Sequence, residues 1–148
     1  MTITVLITGM ATAFIGLLYF IVIFTLAFAT GVVRTLFIAP LLGPLPAVLL
    51  EVPVILSASW FVARRLLRGR SFPLAQRALI GAFALALTMV SEAALAHLLR
   101  GQSIGQWAAA VATPLGLFGL AAQLGFAIMP VLVGHGRAAK DTAQGNPS

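Results

Sequence analysis

Four long apolar runs alternate with short connections in this chain, and one of those connections holds five of its eight arginines. Crossing a hydrocarbon core of about 30 Å takes about 20 residues of α-helix at roughly 1.5 Å per residue, and each run reaches or approaches that length. The expected fold is therefore all-α: an integral membrane bundle of four transmembrane helices, at about 3–30, 47–63, 78–99 and 107–133. Composition agrees, because 61% hydrophobic and 8% charged residues cannot clothe a soluble domain.

The first run extends from Ile3 to about Ala29 and meets no charge before Arg34. Ala27-Phe28-Ala29 has the look of a signal-peptide cleavage site, but the run lacks a basic leading region and exceeds the usual apolar stretch of about 7–15 residues. It is expected to remain as a membrane helix. Residues 35–46 then carry Pro40, Pro44 and Pro46, which predict a non-helical apolar connection lying at the interface or folded back on the bundle. The second helix contains Glu51, Pro53 and Trp60, the third Glu92, and the fourth Trp107, Pro114 and Gln123. These helices make one domain over residues 1–136, and the polar stretch 137–148 is expected to be a disordered cytoplasmic tail.

Orientation follows from the basic residues. Arg64, Arg65, Arg68, Arg70 and Arg77 crowd the connection between the second and third helices, and Arg137 and Lys140 lie on the same side. Only Arg34 and Arg100 fall opposite, so the arginine loop and both termini are expected in the cytoplasm, N-in and C-in. Arginine outnumbers lysine eight to one amid abundant Ala, Gly and Leu, the usage of a GC-rich bacterium. The expected location is a bacterial cytoplasmic (inner) membrane. The formal charge of +6 thus marks a membrane face and anionic headgroups, with no nucleic acid implied.

Glu51 precedes Arg64 by 13 residues and Glu92 follows Arg77 by 15, which puts both acids roughly 20 Å from the arginine face. At that depth an ionised acid costs roughly 2.5–3.5 kcal/mol on insertion scales, so partners are expected. Arg34 and Arg100 are the nearest candidates, since side chains lean toward the N-terminus of their own helix. An intramembrane cluster of Arg34, Glu51, Glu92 and Arg100 follows, with Arg100, two turns along the same stripe, matched to Glu92 and Arg34 to Glu51. His97, five residues past Glu92 on another helical face, is a candidate interface residue or proton relay. Gln123 is expected in the inner half of the fourth helix, far from the acids, bonding to a neighbouring helix.

No phosphate loop, Ser/His/Asp set or HExxH motif is present, cysteine is absent, and the two histidines have no metal-ligand spacing. The chain is therefore expected to have no catalytic residues, metal or cofactor. In size and helix count it resembles the small multidrug-type exporters, but their buried glutamate lies in the first helix, which here has no acid. The leading expectation is a non-enzymatic accessory, assembly or interaction subunit stabilised by the Arg/Glu cluster, in contact with the bilayer and with a membrane-protein partner or further copies of itself. The alternatives are a small oligomeric proton-coupled transporter using Glu92 and Glu51, and a membrane-embedded enzyme acting on a lipid or quinone.

Overall fold

A computed structural model describes the backbone of residues 2–144 and the side chains of residues 9–133. The elements are α1 (Thr2–Val33), a π-helical turn (Arg34–Ile38), α2 (Ala39–Leu42), α3 (Pro44–Leu66), α4 (Leu74–Arg100), α5 (Ile104–Val111) and α6 (Pro114–Gln144). Among the described residues, four helical stretches are long and apolar enough to cross a membrane: Gly9–Leu42, Pro44–Leu66, Leu74–Arg100 and Pro114–Val133. Large apolar side chains such as Phe14, Phe61, Phe83, Val90 and Leu132 stand exposed around the outside. The chain has the build of a small multi-pass membrane protein.

Residues 35–46 are helical apart from Gly43, where a broken connection was expected. Pro40 lies in the first turn of α2, and Pro44 opens α3. At the start of a helix a missing N–H removes no bond, so these prolines begin helices rather than end them. The helix preceding Pro40 widens to accommodate it, the Ala39 N–H reaching back five residues to the Arg34 carbonyl. Gly43 makes the break itself, with φ +86°, a backbone region open to glycine and strained for other residues.

The fourth run also divides. α5 stops at Val111, and the Thr113 hydroxyl caps the next helix by accepting from the Gly116 N–H at 3.1 Å. α6 therefore begins at Pro114, seven residues later than the expected helix start at 107. Its backbone stays helical to Gln144, through much of the stretch 137–148 that the sequence assigned to a disordered tail; residues 145–148 lie outside the described residues.

Around the bundle the helices run in the order α1, α3, α6, α4: α1 packs on α3 and α4, and α6 packs on α3 and α4. The sequence neighbours α3 and α4 are therefore diagonal, and the arginine loop crosses one end of the bundle. Glycines set the seams. A methyl group on Gly16 would come within 2.9 Å of Phe83, one on Gly125 within 2.8 Å of Leu56, and one on Gly81 would collide with the Ala127 carbonyl. Such contacts let helix backbones approach closely where lipid supplies no hydrophobic drive between helices.

The centre is tied across the other diagonal. Tyr19 of α1 is fully buried, stacks on Phe126 of α6 with ring centroids 4.7 Å apart, and donates its hydroxyl to the Phe126 carbonyl at 2.8 Å. That carbonyl is available because the residue four places on is Pro130, which has no N–H to give. Tyr19 thus supplies the hydrogen bond that the proline withholds. Tyr19→Phe keeps the ring and strips the carbonyl of its donor, and is expected to lower stability by about 1–2 kcal/mol. In a Pro130→Ala background, where the helix restores its own N–H, most of that loss should disappear in a double-mutant cycle of thermal unfolding. Equal losses in both backgrounds would refute the assignment.

Candidate functional site

Each long helix has an inward stripe. On α1 it runs Thr12, Ile15, Tyr19 and Ile23; on α3 Leu67 just beyond the helix, then Ala63, Ser59 and Ile55; on α4 Ile80, Ala84 and Thr88; on α6 Pro130 and Phe126. Between Tyr19 and the arginine loop these stripes are tightly packed and mainly apolar. Two buried hydroxyls of the bundle fold back on their own helices, Ser59 to the Ile55 carbonyl at 2.7 Å and Thr88 to the Ala84 carbonyl at 3.0 Å.

Continued by helical periodicity away from the loop, the same stripes turn polar. The α1 stripe reaches Thr30 and Arg34, the α3 stripe Glu51, the α4 stripe Glu92, and the α6 stripe Gln123. All five are half-buried. The bundle is thus apolar and closed toward the arginine loop, and polar toward the opposite end.

The α1–α3 seam is joined by charge. Arg34 Nε lies 2.7 Å from Glu51 Oε2, and the Thr30 hydroxyl donates to Glu51 Oε1 at 2.7 Å. The Arg34 N–H is poorly aligned on that oxygen, so attraction between charges holds this contact more than a hydrogen bond does. Gly31 leaves room beside the pair: a methyl group there would stand 3.8 Å from Glu51 Oε1 and 3.9 Å from the Arg34 guanidinium.

The α4–α6 seam is joined by an amide. Gln123 Nε2 donates to Glu92 Oε1 at 2.5 Å. This corrects the expectation that Gln123 lies far from the acids. With α6 beginning at Pro114, Gln123 is nine residues in from that end of α6, and Glu92 is eight residues in from Arg100 at the same end of α4. Equal rise per residue brings them level. The sequence pointed to a polar group in the fourth helix; the displaced helix start concealed its depth.

Of the four residues expected to cluster, the structure brings Arg34 to Glu51 and pairs Glu92 with Gln123 on the opposite seam. Arg100 is exposed at the end of α4, and among the described residues no ion pair forms apart from Arg34–Glu51. His97 is also exposed, its Nδ1 3.1 Å from the Gln102 carbonyl in the turn that ends α4. That turn closes on Gly101 in the left-handed region, the Gly101 N–H bonding the His97 carbonyl and the Gln102 N–H the Ala96 carbonyl. The ring belongs to a helix cap, five residues beyond Glu92.

At the other end Arg64, Arg65, Arg68 and Arg70 are exposed, while Arg77 is half-buried with its Nε sealed from the surface. Among the described residues no group of three or more His, Cys, Asp or Glu side chains could hold a metal ion. No protein-family model matches the chain, and neither a curated protein nor a solved structure shows significant similarity to it.

Proposed function

We propose that this multi-pass protein serves a bacterial cytoplasmic membrane as a non-enzymatic accessory or interaction subunit. In this reading the arginine loop and both termini face the cytoplasm, and Arg100 and α5 face the outer surface. Five arginines at one end of the bundle support that orientation through the preference of basic loops for the cytoplasm. One observation carries the subunit reading: the polar side chains at membrane depth join helix to helix inside the chain, Thr30 and Arg34 to Glu51 across one seam and Gln123 to Glu92 across the other. Groups used this way hold a shape for another membrane protein to recognise.

A tagged copy extracted in mild detergent is expected to bring down a different membrane protein in fixed stoichiometry. Recovery of the chain alone, or of its homo-oligomer alone, would count against the reading. Reporter fusions at Gly69 should report the cytoplasm, and an external signal would reverse the orientation.

A second reading, a small coupled transporter, is favoured by one specific contrast. Glu51 faces a cation, whereas the hydrogen-bond partner of Glu92 is a neutral amide. A carboxylate inside a bundle whose hydrogen-bond partner is a neutral amide is a functional-site hypothesis in any membrane protein.

A further inference from the structure

We propose that the turn between α3 and α4 binds anionic phospholipid, the headgroup phosphate held by Arg64, Arg65 and Arg68 and the acyl chains laid along Trp60 and Phe61. The site goes beyond the subunit reading, lies at the end of the bundle away from Glu51 and Glu92, and does not depend on which way round the chain sits in the membrane.

Charge is the first argument. Arg64, Arg65, Arg68 and Arg70 all stand exposed. None of them makes an ion pair among the described residues, where the pair formed is Arg34 with Glu51. Two of the three acids of the chain, Glu51 and Glu92, lie in the other half of the bundle, 13 residues before Arg64 and 15 after Arg77. The side chain of the third, Asp141, lies outside the described residues. An anionic surface is the complement of such a patch, and each arginine near it strengthens the attraction about fivefold.

Placement favours a lipid over an acidic protein. Trp60 precedes Arg64 by four residues and Phe61 precedes Arg65 by four, so on two neighbouring stripes of α3 an exposed ring stands one turn, about 6 Å, from an exposed arginine. The arginines fall at the end of a helix fit to cross a membrane, where hydrocarbon gives way to headgroups. A lipid answers both parts, its phosphate accepting from the guanidinium groups and its chains covering the rings. An acidic protein face would meet the guanidinium groups and leave the rings to other lipid.

The turn is also fixed. Leu67 is buried, Leu66 and Phe72 pack against the core, and the Arg70 N–H bonds the Leu67 carbonyl at 3.3 Å. Arginines presented from a settled backbone lose less freedom on binding. The charge of the headgroup sets the class. A zwitterionic lipid carries its own cation beside the phosphate, which repels the arginines, whereas phosphatidylglycerol has none.

Trp60 serves as the reporter, because Trp107→Phe leaves it as the one tryptophan of the chain. In phosphatidylcholine bilayers, brominated phosphatidylglycerol is expected to quench Trp60 with an apparent association at least about fivefold stronger than that of brominated phosphatidylcholine. The preference should collapse when Arg64→Gln, Arg65→Gln and Arg68→Gln are combined, and in about 1 M salt, where screening shortens to about 3 Å. Arg100→Gln, at the other end of α4, should leave it unchanged. Circular dichroism and elution volume establish that each variant is folded. Equal quenching by the two lipids would overturn the proposal and leave the patch to an acidic protein, and a preference that survives the folded triple variant would overturn it as well. Native mass spectrometry of the unaltered chain, released from micelles holding both lipids in equal amounts, stays decisive if a variant fails to fold. Retained phosphatidylglycerol is expected, and equal retention of the two lipids would overturn the site.

Discussion

Gly81→Ala is expected to push α4 away from α6 and to produce the largest loss of stability of any single methyl group added to the bundle. The added carbon would fall well inside contact distance of the Ala127 carbonyl, a backbone atom that cannot rotate aside. Overpacking of this kind costs about 1–3 kcal/mol, and Gly81 should lie at the upper end because two helix backbones must separate to relieve it. The damage should spread to Tyr19 as well, since its hydroxyl is bonded to Phe126, next in sequence to Ala127. Gly9→Ala is a clean control, because a methyl group there meets nothing within 4 Å. Thermal unfolding in detergent should separate the two variants widely; a Gly81→Ala midpoint matching that of Gly9→Ala would show that the α4–α6 approach is looser than described.

Glu51→Ala is the second large effect. It removes the countercharge of Arg34 and the hydrogen-bond acceptor of Thr30 together, leaving a guanidinium at membrane depth with nothing opposite it. Breaking a fully buried pair from one side costs about 3–5 kcal/mol; the exposures here, 29% for Arg34 and 16% for Glu51, reduce that to about 2–3 kcal/mol. The signature lies in the pattern more than in the size. Arg34→Leu combined with Glu51→Leu should be less damaging than Glu51→Ala alone, because a pair removed together leaves no orphaned charge. Additive losses would mean that the two side chains act independently.

Much of this architecture is legible in residue order. Four apolar runs require four spanning helices, and the Arg34–Glu51 match follows from side chains leaning toward each other across one connection. Other features escape because they depend on helix phase. The prolines at 40, 44 and 46 read as breakers in a linear sequence, yet Pro40 and Pro44 fall in first turns, where a proline is harmless. A helix start displaced from 107 to Pro114 moved Gln123 to the level of Glu92, and no local signal fixes that shift apart from Thr113-Pro114 and the cap it makes. Gln123 was legible as a polar group in an apolar helix, but its partner was not.

The sequence by itself determined that the chain is helical and fit to cross a membrane, because hydrocarbon admits only backbones that satisfy their own hydrogen bonds, and length and apolarity reveal such segments without reference to anything else. It determined also which end of the bundle is basic, since charge is carried residue by residue. Only the tertiary structure decided that α3 and α4 stand diagonally, that Tyr19 answers the carbonyl freed by Pro130, and that the two acids meet different partners on opposite seams. Those outcomes depend on how far each helix is rotated and shifted against its neighbours, and that is settled by backbone contacts at glycines such as Gly16, Gly81 and Gly125, which no pattern along one strand of sequence records.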